Sequence, residues 1–141
     1  PFKCDANIQM HANTANEKVL FRELSYKICG LCFKVHNELG RFRNEKQYAD
    51  ALENILKENN INYKREWALP VSFVGENDRR NIVDFVVNNE IILDVKAKTL
   101  IEKSDYFQMQ RYLTSANKKL GIVVNFRQRY LNPKRVINNN L

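Results

Sequence analysis

Asp84, Asp94 and Lys96 lie close together in IVDFVVNNEIILDVK, residues 82–96, and their types and spacing could do chemistry. Whether they act together depends on how the stretch pairs. β-Branched and other apolar residues flank Asn88, Asn89 and Glu90, which supply turn chemistry, so it reads as a hairpin of two strands. A two-residue loop at Asn88-Asn89 would set Asp84 opposite Leu93 and put the aspartates on opposite faces. A three-residue loop, Asn88 to Glu90 with an Asn in the left-handed region, sets Asp84 opposite Asp94. One face is then Ile82, Asp84, Val86, Ile92, Asp94 and Lys96. The other, Val83, Phe85, Val87, Ile91, Leu93 and Val95, is wholly apolar, and that clean face selects the longer loop.

Directly opposed carboxylates have Cβ atoms about 4.5–5.5 Å apart and repel each other. A hard divalent cation would compensate, and Mg²⁺ is typically held by one or two carboxylates with waters and phosphates. Lys96 projects from the same face beside Asp94. A plainer alternative is that Lys96 only neutralises an aspartate in a polar patch.

Helices must carry this hairpin. Leu20, Leu24, Ile28, Leu31, Cys32, Val35 and Leu39 recur at helical spacing, and Gly40 closes the run. Cys29, Cys32 and His36 share roughly one face of that helix. They could be a partial zinc site, but no second Cys pair completes one, so buried cysteines that bind no metal are expected. Asn44 suits an N-cap with Gln47 in a capping box, followed by a buried stripe of Tyr48, Ala51, Leu52 and Ile55 and a stop at Asn59-Asn60. Glu45, in the first turn, suits the helix dipole or could be a third acid; from this window the dipole role leads.

Tyr63 to Val74 gives strand signals broken at Pro70, and Arg79-Arg80 leads into the hairpin. Ser104 is the predicted cap of a helix carrying Phe107, Met109, Tyr112, Leu113 and Ala116, with Gln108 and Tyr112 as surface neighbours. LGIVVNF, residues 120–126, is apolar throughout and predicts a strand covered on both faces. Pro133 to Ile137 offers a last strand. The order is α-α-β-β-β-α-β-β, an α/β mixed sheet with one parallel pairing around the Gln108 helix.

With 141 residues, 44% of them hydrophobic, the chain has material for a single core: residues 20–138, after a flexible segment of residues 1–19. Pro1 opens the chain, and Met10 offers an alternative start. Residues 1–100 hold 15 Lys/Arg against 14 Asp/Glu, whereas residues 101–141 hold 8 against 2. A basic excess downstream of the carboxylate hairpin suits a surface that meets a polyanion. No apolar run approaches a membrane span, and three cysteines, an odd number, fit a reducing cytoplasm better than a disulfide framework.

Taken together, LSYKICGLCFKVHNELG, NEKQYADAL, IVDFVV, ILDVKA, QMQRYL and LGIVVNF resemble the PD-(D/E)xK nuclease superfamily, and more narrowly the GxxExxY proteins. The resemblance implies a restriction-endonuclease-like core with a mixed sheet of four or five strands flanked by helices. It implies Asp84, Asp94 and the Val95 backbone carbonyl as ligands of Mg²⁺, with Mn²⁺ able to substitute, and Glu45 as a further ligand, directly or through water. Lys96 would activate the attacking water and stabilise phosphate charge. Gln108, Tyr112, Tyr48, Lys98 and Arg111 would line the site or touch nucleic acid. Phe42 stands where the narrower family's first glycine is expected. The implied function is hydrolysis of phosphodiester bonds in nucleic acid, DNA before RNA, in repair, processing or defence. The alternative is a non-catalytic nucleic-acid-binding module or subunit that keeps the fold. The sequence leaves monomer or homodimer open.

Overall fold

The computed structural model describes residues 15–140, with side chains from residue 21 onward. The flexible segment expected at residues 1–19 therefore lies largely outside the described residues, as does Met10. Its last part is helical: α1 spans Ala15–Leu39, five residues longer than the apolar stripe predicts. Ala15, Glu17 and Lys18 are good helix formers and can propagate a helix that burial has nucleated further on. Gly40 ends it at φ +77, donating its N–H to the His36 carbonyl. A backbone that needs positive φ there accounts for the glycine at position 40, and Phe42 follows it.

Asn44 caps α2, Glu45–Glu58, in the expected box with Gln47. Five strands follow around one more helix: β1 Tyr63–Ala68, β2 Ile82–Val87, β3 Ile91–Lys96, α3 Lys103–Ala116, β4 Leu120–Asn125 and β5 Lys134–Ile137. They form one sheet in sequential order, antiparallel except for the parallel β3–β4 pair that the α3 crossover creates. This is the predicted element order.

The helices divide between the sheet's two faces. α1 and α2 cover Phe85, Val87, Ile91, Leu93 and Val95 with Ile28, Cys32, Val35, Leu52 and Leu56. α3 covers Val86, Ile92 and Val123 with Met109, Tyr112 and Leu113. Every residue of β4 is buried, as a strand covered on both faces must be. Val83 departs from the expected alternation and joins the α3-side cluster with Leu69. It lies beyond the last β2–β3 pair, so no β3 ladder holds its side to the pleat.

Two further expectations shift. Ser104 lies inside α3, whose cap is Glu102, because Asp105 accepts the Glu102 N–H at 2.7 Å and starts the helix earlier. Phe107 is 65% exposed, since the buried stripe of α3 runs through Asp105, Met109, Tyr112 and Leu113.

The hairpin loop has the predicted three residues between Val87 and Ile91, with both Asn88 and Asn89 left-handed at φ +52 and +55. A β-branched residue there meets its own carbonyl. Asn89→Val is expected to lower stability by about 1–2 kcal/mol, and Asn89→Gly to leave it near wild type. Urea unfolding followed by circular dichroism measures both, and a Val variant as stable as wild type would deny the turn its role in setting the register.

Candidate functional site

The β2–β3 ladder pairs Val87 with Ile91, Val86 with Ile92 and Phe85 with Leu93, then stops. One step further in that register, Asp84 faces Asp94. Asp84 Oδ2 accepts the Val95 N–H at 2.7 Å, so a side-chain oxygen takes a backbone donor where the ladder has ended. Meanwhile β3 stays in register with β4 as far as Lys96 and Asn125. Asp84 is thereby pinned against a strand that is itself fixed.

Asp94 is 5% exposed. Its Oδ2 lies 3.2 Å from Lys96 Nζ, an ion pair by distance. The ammonium is not aligned for a hydrogen bond, and that buried oxygen has no donor directed at it. Burial first, and then the Asp84 carboxylate alongside, push Asp94 well above the usual carboxylate range, against the pull of Lys96. A buried, undersatisfied oxygen opposite a second carboxylate is the donor set a hard cation takes. The pair therefore fits a divalent metal.

Lys96 Nζ is held at 2.9 Å by Gln108 Oε1 from α3. This makes Gln108 the residue that aims the ammonium. Tyr112, one turn on, is 8% exposed; burial and then the Asp94 charge hold its phenol above the usual range, which places it beside the aspartates. Arg111 is exposed, its guanidinium 5.9 Å from the Tyr112 ring centroid. Lys98 Nζ is held by Asp105 at 3.0 Å and Glu102 at 3.3 Å.

Two predicted members stand elsewhere. Tyr48 is fully buried, stacked on Phe126 at 4.3 Å, with its hydroxyl bonded to the Gly40 carbonyl. It cannot touch nucleic acid; it locks the α1–α2 turn from which Glu45 departs. Glu45 reaches the same end of the sheet, where Oε2 accepts the Ala97 N–H at 3.3 Å. Among the described residues, no three His, Cys, Asp or Glu side chains converge as a metal-binding group, so Glu45 does not join the aspartates. Ala97 lies just beyond Lys96, and that backbone donor holds the carboxylate there. Cys29 and Cys32 are both 0% exposed in the α1 core, and His36 Nε2 donates to the Gln128 carbonyl at 2.8 Å.

Asp105 was not foreseen. It is 6% exposed, 3.8 Å from Lys96 Nζ, bonded to Lys98, and accepts the N–H of the α3 cap Glu102. Its sequence signal is an acid on the helical stripe of Met109 and Tyr112. Asn125 is the second omission: 2% exposed, it accepts the Lys98 and Arg127 N–H groups and donates to the Lys98 carbonyl at 2.7 Å. An amide ending the apolar run LGIVVN was its signal.

Burial opposes ionisation of Asp105, but the Glu102 N–H and the Lys98 ammonium outweigh it and hold its pKa below the usual value. A depressed carboxylate stabilises the fold above its unfolded pKa, about 3.9, and loses that contribution as pH falls through the folded value. Wild-type stability is therefore expected to drop below about pH 4, and Asp105→Asn to flatten that drop. At pH 7 the variant should be less stable by about 1–3 kcal/mol, because it leaves charged partners short of an acceptor. Urea midpoints from neutral to acid pH test both; an unchanged profile would show that Asp105 does not carry this linkage.

The model of the PD-(D/E)XK nuclease superfamily matches residues 22–136, which takes in α1 through β5 except the ends. No curated protein matches the chain. Among the described residues, no helix is long and apolar enough to cross a membrane. The five-stranded mixed sheet with helices on both faces is the restriction-endonuclease-like core, and with that match the chain belongs to the PD-(D/E)XK nuclease superfamily.

Proposed function

We propose that this chain is a metal-dependent phosphodiesterase acting on nucleic acid, with DNA as the first substrate to test. One observation carries it: opposed carboxylates, one with an undersatisfied buried oxygen, beside a lysine held in place from another element. A module that only bound nucleic acid would gain nothing from this pair, which repels phosphate.

Asp84, Asp94 and the Val95 carbonyl would hold Mg²⁺, with Mn²⁺ able to substitute. The bound cation would supply Lewis acidity, lowering the pKa of water and neutralising phosphate charge. Asp84 keeps one oxygen for this work while its other fixes Val95. Lys96, steadied by Gln108, donates to the attacking water or to a phosphate oxygen. Glu45, whose carboxylate accepts the Ala97 N–H just beyond Lys96, would act through water. Tyr112 and Arg111 would flank the scissile phosphate, and Lys98 adds positive charge that Asp105 and Glu102 largely balance. The likeness to the GxxExxY proteins belongs to the same proposal.

A second reading is a non-catalytic nucleic-acid-binding module or subunit. The basic excess of residues 101–141, 8 Lys/Arg against 2 Asp/Glu, favours it.

Asp84→Asn is expected to abolish cleavage, since a hard cation depends on the lost charge, and to leave binding intact or tighter. Its amide oxygen can still accept the Val95 N–H, so the fold should survive. Lys96→Ala should abolish turnover while metal affinity stays or rises. Labelled single- and double-stranded DNA and RNA, with Mg²⁺ or Mn²⁺, test wild type and both variants. Tight binding by a wild type that cuts none of them would overturn the enzyme reading in favour of the module.

A further inference from the structure

On the α1 side of the sheet, a groove of about 1130 Å³ opens between α1 and the loop joining β4 to β5. Lys27, Lys34 and Arg129 line it, together with Tyr26 and Tyr130, which are 61% and 77% exposed. Among the described residues, no aspartate or glutamate lines it. Lys27, Gly30, Lys34 and Asn37 recur every three or four residues and so share one face of α1. Gly30 leaves the middle of that face without a side chain.

The facing wall is anchored. His36 Nε2 donates to the Gln128 carbonyl at 2.8 Å, Gln128 Oε1 accepts the Asn132 N–H, and Leu131 is buried in the α1-side core. Tyr130 presents an exposed ring with the Arg129 guanidinium 5.3 Å from its centroid.

A second aromatic–basic cluster adjoins this wall. Arg127 Nε donates to the Arg41 carbonyl at 2.7 Å, and Arg41 Nε donates to the Arg127 carbonyl at 3.0 Å. Phe42, 78% exposed, has both guanidiniums near its ring, at 4.9 and 6.0 Å from the centroid. Glu45 follows three residues later, at the sheet end that carries Lys96.

We propose that this groove binds an unpaired strand of nucleic acid. Bases stack on Tyr130 and Tyr26 while phosphates meet Lys27, Lys34 and Arg129; the Arg41–Phe42–Arg127 cluster leads the strand on toward Glu45 and the aspartates. A phosphate backbone is matched by cations with no acid among them, and exposed rings beside cations are matched by unstacked bases. A duplex hides its base faces, and an acidic peptide offers carboxylates without extended π surfaces. The inference rests on the nuclease reading for the class of polymer, but its test needs no cleavage.

Fluorescence anisotropy in EDTA, with the full chain and a labelled unpaired deoxyoligonucleotide or its blunt duplex, provides that test. The unpaired strand is expected to bind about tenfold or more tightly than the duplex, and Tyr130→Ala to weaken it about tenfold, as for loss of one stacking platform. Replacing Lys34 and Arg129 together by Ala should make the salt dependence of log affinity shallower by about 1.4, for two lost phosphate contacts. The charge-conserving pair Lys34→Arg and Arg129→Lys should bind as wild type, and circular dichroism checks that each variant is folded. Unchanged binding by folded Tyr130→Ala and the double alanine variant would overturn the inference, as would equal affinity for the duplex or equal competition by an oligoglutamate peptide. A wild type that binds the strand through this groove yet cuts nothing with Mg²⁺ supports the inference and sinks the nuclease reading. Cleavage with unaltered binding by the groove variants does the reverse.

Discussion

Two carboxylates facing each other across a strand pair repel, and the sheet is built so that they face each other all the same. The three-residue turn fixes the register that opposes Asp84 and Asp94. The ladder then ends one pair short of them, and Asp84 takes a backbone donor from Val95 in place of the missing strand partner. Asp94 is left buried, with Lys96 beside it but off the axis of a good hydrogen bond. Such a pair is stable only with compensation from outside itself.

Part of that compensation comes from α3. The helix lies close on β4, where Gly121 has no side chain and a Cβ would overlap Met109. Close approach brings Gln108, next to Met109, within 2.9 Å of Lys96, and Asp105 within 3.8 Å. Asn125 then ties the chain leaving β3 to the end of β4. A site at the end of two parallel strands is thus held from three directions, by β2, β4 and α3.

A set of basic side chains stands apart from the aspartate pair. The aspartates are sunk in the sheet, while Arg41, Arg127, Arg129, Lys27 and Lys34 lie on the α1 side and its adjoining loops. Under the proposed function, a polyanion would meet these cations as well as the carboxylates, which alone would repel it.

Much of this was legible in the chain. Alternating apolar residues fixed the hairpin register, because a slip by one residue would have turned Phe85 and Leu93 to the wrong face. Helical spacing located three helices, and Asn44 with Gln47 placed the start of α2. What the sequence could not decide was how far each side chain reaches. Tyr48 lies on the stripe of α2 one turn after Glu45, yet it ends in the core against Phe126 while Glu45 reaches Ala97. Asp105 went unread in the sequence, and only the fold makes it a neighbour of both Lys96 and Lys98. Periodicity reports which face of an element is buried. The contacts across that face depend on how closely two elements approach, and here Met109 of α3 fills the space that Gly121 of β4 leaves open.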